Sequence, residues 1–153
     1  MRALIQRVKQ ASVTVDGESV GVIGRGLLVL AAVGKDDTPD DRAYVTDKVL
    51  NLRIFPDTQG RFDQSVRDVG GAVLLVSQFT LYGNVRKGRR PSFTDAAPPE
   101  EAAAAFAALL ADFRASGLRV ETGRFQEMMD VSLVNDGPVT IWVDSADRHR
   151  RAG

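Results

Sequence analysis

The sequence has no cysteine and only one histidine among its 153 residues. Without cysteine there is no thiolate nucleophile, disulfide or thiolate metal ligand. One histidine cannot build a multi-histidine zinc site, and no other metal site is visible. A Ser-His-Asp relay would have to use His149, which lies in an arginine-rich run near the end of the sequence. That is a poor position for a rigid base, so the composition argues against the common triad hydrolases.

The sequence also lacks an excess of charge of one sign, since 20 Lys and Arg balance 20 Asp and Glu. This balance argues against a uniformly basic surface, so any contact with nucleic acid must come from clustered residues. No apolar segment has the length of a signal peptide or a membrane span. We therefore expect a cytoplasmic, single-domain protein over residues 1–153, without a membrane partner and with a peripheral tail at 145–153.

The apolar pattern predicts an α+β fold: a compact β-rich domain, either barrel-like or made of two packed sheets, with two substantial helices. Thr38-Pro39 begins the first helix, and the second runs from about Pro99 to Ala115 with an apolar stripe at helical spacing. Asp57 to Gly60 is predicted to be a turn. Strand patterns occur at 2–9, 12–15, 18–23, 27–33, 72–76, 129–133 and 139–143.

A polar segment, Ser77-Gln78-Phe79-Thr80-Leu81-Tyr82-Gly83, follows a buried strand directly. Thr80 could be a nucleophile only with a base beside it, because an unassisted hydroxyl is weak at neutral pH. The backbone N–H groups of Phe79 and Thr80 could instead stabilise an oxyanion. A third interpretation is purely structural, with Ser77 and Thr80 bonding to nearby backbone groups.

Gly137-Pro138 lies between two alternating strand patterns, and the simplest interpretation is a hairpin turn. The functional alternative is that Gly137 lets the backbone approach a ligand closely while Pro138 fixes the direction of two carbonyls. Arg7 would face inward if Ile5 does and would then need a partner. It could equally extend from a strand edge to solvent.

Four cations occupy five positions at Arg86, Lys87, Arg89 and Arg90. Such a cluster is typical of phosphate or RNA contact, although it could also be a solvated loop. It falls within residues 84–97, predicted to be a long irregular loop. A second basic run, 148–151, is better explained as a frayed end.

Two short motifs together resemble the signatures of the D-aminoacyl-tRNA deacylase family: Ser77-Gln78-Phe79-Thr80-Leu81 and Asn135-Asp136-Gly137-Pro138-Val139-Thr140. The resemblance extends to about Asp144. It includes Arg7-Val8-Lys9-Gln10-Ala11-Ser12-Val13, Asn51-Leu52-Arg53-Ile54-Phe55 and Arg86-Lys87-Gly88-Arg89-Arg90-Pro91-Ser92-Phe93.

The resemblance implies a homodimer that hydrolyses the ester joining a D-amino acid to tRNA. We expect no cofactor and no DNA partner, and the sequence leaves open whether a metal affects the activity. It implies that Gly137-Pro138 has a cis peptide bond and reaches the partner subunit's active site, whose wall is the segment from Ser77 to Thr80. It also implies that Arg7 holds the Gly-Pro element, and that Phe125 and Met129 line the pocket for the terminal adenosine or the amino acid.

An aminoacyl ester is an activated substrate, so a positioned water and an oxyanion donor suffice, with help from the ribose 2′-hydroxyl. Rigid carbonyls that bind the α-amino group would exclude L-residues by clash but could not exclude glycine. We therefore expect activity on glycyl-tRNA mischarged on tRNA(Ala). The alternatives are a non-catalytic tRNA-binding module that uses the 86–90 cluster, and a hydrolase of free D-amino acid esters.

Overall fold

The computed structural model describes residues 1–150 of the chain. Its main sheet has the strand order β2-β1-β3-β6-β7, with β8 paired to β1, and β4 and β5 form a separate two-stranded sheet. The elements are β1 Arg2–Val15, β2 Glu18–Ile23, β3 Gly26–Ala32, α1 Pro39–Asn51, β4 Phe55–Pro56, β5 Phe62–Gln64, β6 Ala72–Ser77, a 3₁₀ turn Phe79–Tyr82, α2 Pro99–Arg114, β7 Val120–Thr122, β8 Asp130–Asp144 and a 3₁₀ turn Ser145–His149.

The main sheet curls into a nearly closed barrel. β1 is long enough to pair with β3 through its first half and with β2 through its second half, while β8 follows it along nearly its whole length. The two ends of the strand order approach each other, because a Cβ on Gly21 of β2 would lie 2.8 Å from the carbonyl oxygen of Thr122 in β7. The predicted α+β, β-rich architecture with two substantial helices is confirmed.

The core has two parts because successive strand residues point to opposite faces. Ile5, Val29 and Val73 pack on the face covered by the helices, against Phe106 and Phe113 of α2. Their strand neighbours Val8, Leu28 and Leu74 pack on the other face, inside the barrel. β3 and β6, which pair in parallel, are therefore buried on both faces, as the continuous apolar run at 27–33 predicts.

The predicted pair of C-terminal strands is a single strand, β8. Both of its halves run antiparallel to β1 in one direction, with Asp130 opposite Thr14 and Asp144 opposite Arg2. The hairpin-turn interpretation of Gly137-Pro138 is therefore wrong: the chain does not reverse there. Alternation of apolar residues cannot distinguish a reversal from a protrusion within one strand, since both interrupt the pattern in the same way.

The segment after β8 packs on α1. Arg148 lies 3.5 Å from the Asp41 carboxylate, and Ser145 is buried. Burial would raise the pKa of Asp41, but hydrogen bonds from the Thr38 backbone N–H (2.8 Å), the Ser145 side chain and the Thr38 hydroxyl (3.1 Å) more than offset this and lower it. The carboxylate at the helix N-terminus is thus held ionised. Arg151, the last residue of the second basic run, lies outside the described residues.

Between residues 1 and 150, no helix is both long enough and apolar enough to cross a membrane.

Candidate active site

A cavity of about 780 Å³ opens where the parallel strands β3 and β6 end side by side. Ala32 is the last residue of β3 and Val33 follows it, while Ser77 is the last residue of β6. The remaining wall comes from the loops that follow, and the lining residues are Val76, Gln78, Phe79, Phe93, Ala96, Ala97, Pro98, Pro99, Ala102, Phe125, Gln126, Glu127, Met128, Met129 and Val131. The cavity is mostly apolar with a short polar edge, which is typical of a small-molecule site.

The polar edge is formed where β6 changes into the 3₁₀ turn. Gln78 leaves the strand conformation, with φ −144° and ψ 77°, while its N–H still bonds to the Ala31 carbonyl at 2.8 Å. The N–H groups of Phe79 and Thr80 come next, at the start of a helical turn, where no earlier carbonyl is placed to accept them. Neither has an acceptor within residues 1–150. Two backbone donors are therefore free at this edge.

The side chain of Thr80 is not activated by a base. Its hydroxyl oxygen accepts a short hydrogen bond from the Gln78 side-chain amide, and no carboxylate or imidazole of the described residues bonds to it. An amide N–H donor cannot take a proton from the hydroxyl. Thr80 is exposed and does not line the cavity, so the geometry does not support the nucleophile interpretation. Phe79, which does line the cavity, keeps its N–H free.

Aromatic rings shape the cavity at two points. Phe79, 55% exposed, contacts Phe93 edge to face, with ring centroids 5.1 Å apart. Phe125 is held by Phe106 of α2 at 6.2 Å. Phe125 and Met129, which the family resemblance assigns to the pocket, both line it. These flat and polarisable groups suit a nucleobase or an amino-acid side chain.

Residues 136–139 form a protrusion from β8. Asn135 pairs with Val8, and Thr140 pairs with Gln6. Between these two pairs β8 advances by five residues while β1 advances by two. Gly137 has φ +126°, and a Cβ there would lie 2.9 Å from the Val139 side chain and 3.0 Å from an Arg7 nitrogen. The position therefore requires glycine. The Gly137–Pro138 peptide bond is cis, and both residues are exposed.

Arg7 supports this protrusion from below. It is only 7% exposed, so it faces inward and does not extend to solvent. Its Nε donates to the Asp136 carbonyl at 3.2 Å and its Nη1 to the Ile54 carbonyl at 2.7 Å. The guanidinium also lies 5.6 Å from the ring centre of Phe62. Buried donors of this kind need acceptors, and here they fix the backbone just before Gly137.

The two signature motifs do not meet within one chain. Arg7 pairs with Leu27, which pairs with Val73, and Ser77 lies four residues further along β6. That is about 13 Å along the strand direction alone. Within residues 1–150, the cavity lining includes neither Gly137 nor Pro138. One copy of the chain therefore presents the protrusion and the cavity at separate places.

The basic cluster lies on the loop that leads into the cavity. Arg86, Lys87, Arg89 and Arg90 are all exposed, and none forms a salt bridge with another described residue. A bridge between Asn84 and Ser92 closes the loop, and Phe93 follows at the cavity wall. Four cations without a described salt-bridge partner thus lie on the loop between Asn84 and Ser92, beside the cavity.

Sequence reasoning missed the part of the cavity formed by Ala32, Val33 and residues 96–99. Ala102 of α2 also lines the cavity. The sequence signal for this part of the cavity is the pair of apolar runs at 27–33 and 72–76. If two such buried strands are parallel, they end at the same edge of the sheet and the residues that follow them lie close together. Among residues 1–150, no three acidic or histidine side chains are arranged to hold a metal ion.

Comparison with known proteins identifies the family of this chain. The family model described as D-Tyr-tRNA(Tyr) deacylase matches residues 4–144. A D-aminoacyl-tRNA deacylase of Desulfitobacterium hafniense is 59% identical over 145 residues, which cover 95% of this chain and 97% of the relative. A D-aminoacyl-tRNA deacylase of Roseiflexus castenholzii is 55% identical over an alignment of 157 positions, which covers 99% of this chain and 100% of the relative.

Two solved structures share the fold. One, described as c-Myc DNA Unwinding Element Binding Protein, superposes with a TM-score of 0.89 at 41% identity, over 94% of this chain and 98% of that one. Another, described as a probable eukaryotic D-amino acid tRNA deacylase, has a TM-score of 0.80 at 21% identity with the same coverage.

Together with the fold and the site, these matches place the chain in the class of small β-barrel enzymes that hydrolyse aminoacyl-tRNA esters. The chain belongs to the D-Tyr-tRNA(Tyr) deacylase family. The family resemblance carried by the two sequence motifs is thereby confirmed.

Proposed function

We propose that this protein hydrolyses the ester of D-aminoacyl-tRNA and releases the free D-amino acid and tRNA in the cytoplasm. The observation that carries the proposal is the pair of free N–H groups at Phe79 and Thr80, at the edge of an apolar cavity in a member of this family. Backbone donors that lie ready beside a cavity can stabilise the charge that develops on a carbonyl oxygen.

In the proposed reaction a water molecule attacks the carbonyl carbon of the ester. The oxyanion of the tetrahedral intermediate accepts hydrogen bonds from the two free N–H groups. The bond from carbon to the ribose oxygen then breaks, and that oxygen takes the proton released by the water. The neighbouring 2′-hydroxyl of the substrate orients the water, so no protein base is required. Loss of one oxyanion donor would cost about 10²–10³ in rate.

Chiral selection, in this proposal, comes from a second copy of the chain. The exposed Gly137-Pro138 protrusion cannot serve the cavity of its own subunit, about 13 Å distant along the sheet. In a homodimer, the protrusion of one subunit enters the cavity of the other. Its carbonyls accept hydrogen bonds from the substrate's α-amino group and leave no room for the side chain of an L-residue.

Glycine has no side chain to exclude, so the same filter admits it. We therefore propose glycyl-tRNA mischarged on tRNA(Ala) as a second substrate.

The RNA part of the substrate is bound by the basic cluster at 86–90. Its four exposed cations are not neutralised by described acidic residues, and the loop that carries them ends at the cavity wall. The phosphates next to the terminal adenosine would contact the cations of this loop. The overall charge of zero leaves this cluster as a local site of tRNA attraction.

The deciding experiment is deacylation of one tRNA charged in parallel with the D- and the L-form of the same amino acid. We expect rapid release of the D-amino acid and no release of the L-amino acid above the uncatalysed rate. Equal rates, or no release with intact tRNA binding, would refute the proposal, and the second result would indicate a non-catalytic binding module. Equal cleavage of a free D-amino acid ester would show that tRNA is not recognised.

A further inference from the structure

We propose that Arg2 is a positioning residue for the reaction, because it fixes the 3₁₀ turn that begins at the edge of the cavity with the free N–H groups of Phe79 and Thr80. This inference rests on the proposed function. It concerns a residue outside both signature motifs, on the first strand of the sheet and apart from the cavity lining.

Arg2 makes direct contact with the turn. Its Nη1 donates to the Leu81 carbonyl at 2.9 Å, one residue beyond Thr80. Its guanidinium carbon lies 4.4 Å from the ring centre of Tyr82, the last residue of the turn. The turn is therefore bound through a backbone acceptor and through an aromatic face at once.

The guanidinium is held from its other side as well. Its Nε donates to Asp144 at 3.2 Å, and the ring centre of Trp142 lies 5.7 Å away. Both residues are in the last part of β8, which pairs with β1 at Arg2 itself. Arg2 thus connects β1 and β8 to the turn, and these paired strands hold the turn in a fixed position.

Tyr82 is a stable partner for this contact because it remains a neutral phenol. Burial raises the pKa of Tyr82 strongly, and the carboxylates of Asp37 and Asp144 raise it further. Only 9% of the residue is exposed. A buried ring under a charged guanidinium defines where the turn ends, just as the Gln78 N–H bond to Ala31 defines where it begins.

The geometry requires arginine in particular. A planar guanidinium can donate from two nitrogens in fixed directions and stack on a ring at the same time. A lysine ammonium keeps the charge but cannot make both directed bonds while lying flat on Tyr82. The neutral amide of glutamine can donate to Leu81 but loses the charge that attracts Asp144 and the ring.

The test compares Arg2→Lys, Arg2→Gln and Arg2→Ala in the full chain, with D-aminoacyl-tRNA as substrate. We expect kcat to fall by about tenfold or more in Arg2→Ala, the factor for losing one charge-assisted hydrogen bond. KM should change by less than about twofold, because the tRNA contacts at 86–90 remain. Arg2→Lys should retain more activity than Arg2→Ala.

Lys9→Ala is the matched control, since it removes an exposed cation from the same strand without touching the turn. Its kcat should equal that of the unmodified protein. Far-UV circular dichroism and urea unfolding check that each variant is folded, because Trp142 lies beside Arg2 and its fluorescence would respond to the substitution itself. Arg2→Gln serves if Arg2→Ala does not fold.

A folded Arg2→Ala or Arg2→Gln with kcat within twofold of the unmodified protein would overturn the inference, as would an effect on KM alone. Absence of D-specific deacylation in the unmodified protein would instead refute the proposed function, so the two failures can be distinguished.

Discussion

At the scale of single residues, the proposed reaction depends on backbone groups more than on side chains. Phe79 and Thr80 contribute free N–H groups, and Gly137 contributes the absence of a side chain. This explains how a chain without cysteine, and with its one histidine near the end of the sequence, can host ester chemistry. The identity of a residue matters here mainly through the backbone conformation it permits.

The first prediction concerns Thr80. Replacing Thr80 with Val removes the hydroxyl and keeps both the shape of the side chain and the backbone N–H. Because Gln78 donates to the hydroxyl and no base accompanies it, we expect single-turnover deacylation to stay within a few-fold of the unmodified rate. A loss approaching 10⁴-fold, in a variant with unchanged circular dichroism, would restore the nucleophile interpretation.

At the scale of elements, the site is placed by one parallel strand pair and one irregular strand. β3 and β6 end together and create the cavity, and β8 projects residues 136–139 without leaving the sheet. The parallel pair is closely packed at its start, where a Cβ on Gly26 would lie 1.8 Å from the Ala72 carbonyl oxygen. The cavity therefore depends on a close backbone approach at the opposite end of the same strands.

This approach predicts that Gly26→Ala is destabilising. The added methyl group overlaps backbone atoms, so the strands must separate, and we expect a loss of about 3 kcal/mol of unfolding free energy. Gly24→Ala is the control, since a Cβ there meets nothing within 4 Å. Urea unfolding of both variants measures the difference. Equal midpoints for Gly26→Ala and Gly24→Ala would show that β3 and β6 tolerate a wider spacing.

At the scale of the whole molecule, one copy is incomplete under the proposed function. Its protrusion at 136–139 lies apart from its cavity, so selection of D-substrates requires a second copy. In a symmetric dimer each protrusion would serve the opposite cavity, giving two identical sites. The net charge of the chain is zero, but four cations are clustered at 86–90.

Co-expression of two inactive variants tests this arrangement. Gly137→Ala should disable the protrusion by clash with Val139 and Arg7, and Ser77→Phe should fill the cavity. Each variant alone should lack D-specific deacylation. A mixed dimer contains one cavity and one protrusion that are both intact, so co-expression should restore about one quarter of the sites. If a purified mixed dimer does not recover D-specific deacylation, the protrusion of one subunit does not act in the cavity of the other.

The helices and most strands follow from local rules. Thr38-Pro39 begins α1, and the spacing of Phe106, Leu109 and Phe113 predicts α2, because capping and the helical period act within a few residues. The two motifs that carry the family resemblance were also visible in the sequence. The path of β8 was not, since pairing of both its halves with β1 is a long-range choice that local alternation does not encode.

By itself the sequence excluded thiolate chemistry and determined the approximate extent of the elements and the family to which the chain belongs. Tertiary structure alone decided where each group stands: Arg7 beneath the protrusion, Arg2 against the turn, and the cavity where β3 and β6 end. The reason is physical. Composition and periodicity act between near neighbours, whereas the closing of a barrel brings together residues that are more than 70 positions apart, such as Arg2 and Leu81, and Arg7 and Asp136.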